Sequence, residues 1–245
     1  MAARQDNMNN QLLNSSHNHN QRSTGFPPSK GKVQQHPAAT GKASSVVPDK
    51  YVRSCALAKA REGEYTEAIA LLSQLIYRSP DNAIDYNNRG LMYFENGESD
   101  KALNDYNTAL QINPNLASAY NNRANYYAAN GQLAAAIADY DQALDLNPSH
   151  VRAWINRGIT LRDLQRYDQA IENFDMALLW GQLEGHIYAE RGRTYHLSGD
   201  WNCAISDYQR ALTELPQQIL QLADPAWRLR LQVETWLFDL LSSSV

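Results

Sequence analysis

Asn88, Asn122 and Asn156 stand 34 residues apart, and Arg89, Arg123, Arg157 and Arg191 keep the same interval. An asparagine amide carries both a donor and an acceptor. A row of them could therefore hold the backbone of an extended peptide through paired hydrogen bonds. Asparagine is an indifferent helix former, so three in register ask for a reason other than propensity. Asn87, Asn121 and Asn125 are neighbours able to assist. The arginines match a second row, Asp105, Asp139, Asn173 and Asp207. That pairing points to contacts between neighbouring helices, where a planar guanidinium tolerates partial burial and stiffens the stack.

Other chemistry finds little support. No Ser/His/Asp or Cys/His set converges in the sequence, and glycine-rich phosphate loops are absent. Acidic residues recur with the same 34-residue period, which suits solvated faces better than an active site. The expectation is a non-enzymatic protein without a cofactor. His17 and His19 lack a third ligand nearby, so no metal site is assigned.

The elements that must carry these rows are legible in five columns. Ala68, Ala102, Ala136, Ala170 and Ala204 form one, and Gly63, Gly97, Gly131 and Gly199 another, broken by Gln165. Leu72, Tyr106, Tyr140, Phe174 and Tyr208 form a third. Leu75, Ala109, Ala143, Ala177 and Ala211 form the fourth. Pro80, Pro114, Pro148 and Pro216 close the units, with Gln182 in the remaining place. Within a unit, Tyr86, Gly90 and Tyr93 share one face of a first helix, and Ala102, Tyr106, Ala109 and Leu110 one face of a second. Gly90, Ala124, Gly158 and Gly192 leave room for the second helix to approach. Gly97 falls where a helix end commonly needs a left-handed residue. Pro114 disfavours helix at the residue before it. A 34-residue period with this interior is the mark of a stacked helix-turn-helix array.

These motifs resemble the tetratricopeptide repeat (TPR) family over Asp49 to Pro216. The resemblance implies an all-α solenoid, a right-handed superhelix of five repeats over 49–82, 83–116, 117–150, 151–184 and 185–218. The first helices would line a concave groove. The style is similar to TPR proteins of cyanobacteria and other bacteria. Val52 and Lys59 depart from the aromatic pattern in the first repeat, as suits an end unit with a solvated face. Trp180-Gly181-Gln182 departs at the end of the fourth.

The resemblance also implies which side chains face the groove. The Asn88, Asn122 and Asn156 row is similar to the asparagine ladder in the repeat superhelix of the O-linked GlcNAc transferase. Lys50, Arg53, Arg61, Arg152, Arg162 and Arg193 oppose Glu95 and Asp163 there, leaving about +4. Such a groove predicts an acidic segment or a C-terminal carboxylate as ligand. Asn121, Asn125, Asn156 and Arg152 match parts of the family's dicarboxylate clamp, but its basic pair is missing.

Composition bounds the alternatives. The 245-residue chain has net charge −4, and residues 1–48 hold five Lys/Arg against one acid, leaving −8 for the remainder. A body that acidic lacks the basic footprint of nucleic-acid binding. Two cysteines four repeats apart fit a reducing compartment, and no apolar run spans a membrane, so a cytoplasmic location is expected. Residues 1–48, rich in Asn, Gln, Ser and His, read as a disordered tail.

Residues 219–245 read as a capping helix, opened by Asp224-Pro225 as N-cap and first helical residue. Leu229, Val233, Trp236, Leu237, Leu240 and Leu241 form the stripe expected to pack on the fifth repeat. Trp227, Leu231 and Phe238 fall on a second face, to be covered by the fifth repeat's end or to form an interface, including a homodimer. Two functions follow from the sequence: an adaptor holding an extended acidic peptide, or an assembly scaffold working through the cap and tail.

Overall fold

The computed structural model describes residues 47–217 and 224–242. The expectation for the N-terminal tail over residues 1–46, and that for residues 218–223 and 243–245, lie outside the described residues. Ten helices form five consecutive hairpins: α1 (Asp49–Arg61) with α2 (Tyr65–Arg78), and α3 (Ala83–Glu95) with α4 (Ser99–Ile112). Then come α5 (Ala117–Ala129) with α6 (Leu133–Leu146), α7 (Val151–Asp163) with α8 (Tyr167–Leu178), and α9 (Glu184–Ser198) with α10 (Trp201–Glu214). The last helix, α11 (Pro225–Ser242), lies against α10 and α9. Each helix packs on the one before it, and successive first helices from α3 to α9 also touch, so they share the inner face. The fold is a TPR α-solenoid closed by α11.

The alanine column and the Leu/Tyr/Phe column are buried in every hairpin. Their tight fit depends on the glycines opposite. A Cβ on Gly90 would sit 2.8 Å from the Tyr106 ring, and one on Gly158 or Gly192 would sit 2.9 Å from Phe174 or Tyr208. Gly63, Gly97, Gly131 and Gly199 reverse the chain at left-handed φ, and Gln165 adopts φ 60° in the same place. The turn geometry thus belongs to the repeat even where glycine is missing. The fourth hairpin ends differently: Gly181 and Leu183 both take φ 59°.

Asp224 accepts a hydrogen bond from the Ala226 amide at 2.9 Å, as an N-cap should. Leu229, Val233 and Leu240 are buried against α9 and α10, with Trp236 and Leu237 half-buried beside them. Leu241 departs from the expected stripe and is exposed. On the second face Trp227 is half-buried, whereas Leu231 and Phe238 are 46% and 70% exposed. Those two side chains are thus open among the described residues.

Candidate functional site

The inner face is built by α1, α3, α5, α7 and α9, and each neighbouring pair is joined by one polar clasp. Arg53 on α1 donates from Nε and Nη2 to both carboxylate oxygens of Asp85 on α3, at 2.6 and 2.8 Å. Asn122 on α5 donates to Asn87 on α3 at 3.0 Å. Asn156 on α7 donates to Asn125 on α5 at 3.0 Å, and Asn125 also accepts from the Tyr140 hydroxyl at 2.6 Å. Arg162 on α7 donates to Glu190 on α9 at 2.6 Å. Asn87 and Asn121 donate in turn to their chain neighbours Asn88 and Asn122.

The asparagine row is thus engaged within the fold. Asn87, Asn121, Asn122, Asn125 and Asn156 are all buried, and their amides are largely spent on one another. Asn88 is the half-buried member of the row. The Oδ1 atoms of Asn121 and Asn156 remain buried without a partner. Unsatisfied buried acceptors are costly.

The cations divide in the same way. Arg53 and Arg162 are held by buried carboxylates. Arg193 lies 5.1 Å over the Trp236 ring of α11, with Nη1 3.4 Å from His196 Nδ1. Arg152, in the first turn of α7, is half-buried and meets no carboxylate among the described residues, and burial alone pushes its pKa down. Desolvating a guanidinium without a paired anion is costly.

Two imidazoles accompany it. His150 caps α7, its Nδ1 accepting from the Ala153 amide at 3.3 Å. Burial lowers the His150 pKa, and the Arg152 charge lowers it further against a backbone hydrogen bond. Burial also lowers the His186 pKa, with Glu190 opposing and Arg152 and Arg162 reinforcing. At the other end of the face, burial raises the Glu95 pKa to about 8, and neither carboxylate oxygen has a partner among the described residues. The Tyr106 hydroxyl is likewise buried and unpartnered.

The arginine row is structural, as its pairing with Asp105, Asp139, Asn173 and Asp207 suggests. Arg89, Arg123 and Arg191 each make two hydrogen bonds to the aspartate of their own hairpin, at 2.7 and 2.9 Å. Arg157 bonds Asn173 at 3.0 Å. Each also reaches back to the preceding hairpin: Arg89 to Ser73, Arg123 to Asn107, Arg157 to Asp141 and Arg191 to Asp175. Tyrosines flank three of them, Arg123 for example lying 5.5 and 5.9 Å from the Tyr120 and Tyr127 ring centroids. That backward reach goes beyond the sequence expectation, although Ser73, Asn107, Asp141 and Asp175 form a polar column at the same 34-residue interval. The Arg53–Asp85 and Arg162–Glu190 clasps go beyond it as well, because they do not repeat.

Among the described residues no helix is long and apolar enough to cross a membrane. No curated protein matches the sequence. The fold is similar to a crystal structure of TTC0263, a thermophilic TPR protein in Thermus thermophilus, at 18% identity over 78% of this chain and 100% of that one, TM-score 0.66. It is also similar to a crystal structure of MamA, at 20% identity over 64% of this chain and 92% of that one, TM-score 0.56. Family models described as TPR repeat and tetratricopeptide repeat match residues 90–131 and 121–186. Helix pairs, turn glycines and both matches agree that residues 90–186 are tetratricopeptide repeats, which supports a protein-interaction scaffold in general.

Proposed function

We propose that the protein is a non-enzymatic adaptor whose inner face holds an extended, acidic peptide segment of a partner. The observation that carries this reading is Arg152, a half-buried cation without an anion on a face where Arg53, Arg162 and Arg193 are already engaged. Asn88, the half-buried member of the asparagine row, supplies a backbone contact on the same face. Opposite charge favours encounter and register more than raw affinity, so salt should weaken binding. The test is fluorescence anisotropy with labelled hexapeptides that are acidic, neutral or basic. Acidic peptides should bind best, weaken with salt, and lose about tenfold or more in Arg152→Glu. Equal binding of the neutral peptide, or no effect of that substitution, would sink the acidic reading.

A second reading, assembly through α11, is favoured by the exposure of Leu231 and Phe238. It predicts a concentration-dependent dimer in light scattering that Leu231→Ser with Phe238→Ser abolishes while peptide binding survives. A monomer at all concentrations would leave the inner face as the working surface.

A further inference from the structure

The fourth hairpin ends in a sequence the other hairpins do not share. Met176, Leu179, Trp180 and Leu183 follow one another at helical spacing across the end of α8, and all four are exposed, Leu179 to 75%. The other hairpins place Gln74, Thr108, Gln142 and Arg210 at the first of these positions, and Asp81, Asn115, Ser149 and Gln217 at the last. Leu179 stands in the place of Gln111, Asp145 and Thr213, with Tyr77 of the first hairpin the one aromatic there. Trp180 continues a column begun by Ile112 and Leu146. A solvated turn is thus rebuilt as an apolar one, where Gln182 replaces the closing proline and the backbone is left-handed at Gly181 and Leu183. Left-handed backbone is strained for leucine, and large apolar side chains exposed together mark an interaction surface.

The charges around this strip say what covers it. From Tyr167 to Glu190 the chain has five acids and no Lys or Arg. Arg191 holds Asp175 and Arg162 holds Glu190, which leaves Asp168, Glu172 and Glu184. Among the described residues no ion pair engages these three. Asp168 and Glu172 are exposed and four residues apart, on the stripe of α8 that runs on to Met176 and Leu179. Glu184 opens α9 beyond the turn, its Oε1 3.8 Å from the place a Cβ on Gly181 would take. Acid on both sides of an apolar strip repels an anionic lipid surface and favours a cationic partner.

We propose that the end of the fourth hairpin is a second docking surface, and that it takes a basic amphipathic helix of a partner protein. Apolar side chains at i, i+3/i+4 and i+7 of that helix cover the strip, and its Lys or Arg residues meet Asp168, Glu172 and Glu184. Trp180 is the anchor, since tryptophan concentrates binding energy at such contacts. The surface is built on the end of α8, so it does not depend on what the inner face binds.

The test uses the full chain and three labelled peptides of about five helical turns. One carries leucines on one face and lysines on the other, its twin has glutamates for the lysines, and the third is the lysine peptide scrambled to lose its apolar face. In fluorescence anisotropy the first should bind at least about tenfold more tightly than the others and weaken with salt. Leu179→Ser with Trp180→Gln should cost it about tenfold or more with an unchanged thermal melt. Glu172→Lys, at a solvated position, should weaken the lysine peptide and strengthen its glutamate twin, and it gives an independent answer where the double variant melts early. Amide exchange at residues 179–183 should slow when the lysine peptide binds. Binding indifferent to these substitutions, or matched by the glutamate or scrambled peptide, overturns the surface. Slow exchange at 179–183 before any peptide is added overturns the partner: protection that fades on dilution assigns the strip to a second copy, and protection that persists assigns it to another segment of this chain. Adsorption to phosphatidylserine vesicles that Trp180→Gln abolishes assigns it to a membrane and overturns the proposal as well.

Discussion

At the scale of single residues, two positions carry conflicts the structure makes measurable. Gln165 sits at φ 60° in a place four other hairpins give to glycine. A left-handed conformation costs a non-glycine residue about 1 kcal/mol. Gln165→Gly should therefore raise stability by roughly 0.5–1 kcal/mol in urea unfolding, less the entropy glycine adds to the unfolded chain. Glu95 poses a titration conflict. Its folded pKa of about 8 lies above the ordinary 4.5, so the native state keeps a proton that the unfolded state releases between those values. Stability must then fall as pH rises through that window and stay low above it. Glu95→Gln should flatten the profile: a melt several degrees higher than wild type at about pH 9, and nearly equal at about pH 4. A parallel pair of melting curves at both pH values would refute the buried-acid account. What the sequence could not disclose here is burial: Glu95 reads as one groove charge among others. Only packing shows that the Tyr106 hydroxyl shares its lack of a partner, Leu91 standing where Asn125 serves Tyr140 in the next hairpin.

At the scale of helices, the first-to-second helix contact is governed by the arginine row. Arg123 bridges Asp139 on α6 and Asn107 on α4, so it holds three helices with one side chain. Breaking one side of a buried pair strands the other charge and costs about 3–5 kcal/mol, whereas replacing both with apolar groups is often neutral. Arg123→Leu should accordingly destabilise by a few kcal/mol in denaturant unfolding, and Asp139→Leu added to it should recover most of the loss. Additive losses in that double-mutant cycle would mean the pair is not coupled. The pairing was legible because both partners recur every 34 residues. The inner-face clasps were not, because Arg53–Asp85 and Arg162–Glu190 each occur once, and one instance leaves no period to read. The asparagine row was found by period, but its stitching of α3 to α5 and of α5 to α7 was not. Periodicity marks a shared environment, and an amide stitching two helices repeats as faithfully as one facing a ligand.

At the scale of the whole molecule, order is contributed by neighbours, and the last hairpin depends on α11 for its outer neighbour. Val233 and Leu229 seal the cluster around Ala204, Tyr208 and Ala211, and the Trp236 ring lies 5.9 Å from that of Tyr208. A chain ending before Asp224 should lose amide-exchange protection in α9 and α10 by orders of magnitude, while α3 to α7 keep theirs. Uniform loss over all hairpins would instead mean that the array melts as a single block. The fold class and the hairpin order were readable from columns alone, since each column fixes a contact that recurs. The exposure of Leu241, Leu231 and Phe238 was not, because α11 occurs once and its rotation is set by the surface it meets.

The backward reach of the arginines also gives the array a direction. Each inner unit offers a plug, its arginine, to the unit before it and a socket, the polar side chain at Ser73, Asn107, Asp141 or Asp175, to the unit after it. The two ends are finished differently. Cys55 stands where the first unit would carry a plug. At the far end, Arg230 of α11 donates to the Leu212 and Leu215 carbonyls at 2.6 and 3.3 Å and closes the stack from outside. A 34-residue copy of an inner unit, pasted in at the Leu116–Ala117 seam, would bring both fittings with it and find both counterparts waiting. For the arginine fittings, lengthening this protein is thus a matter of duplication, and it leaves the terminal fittings untouched.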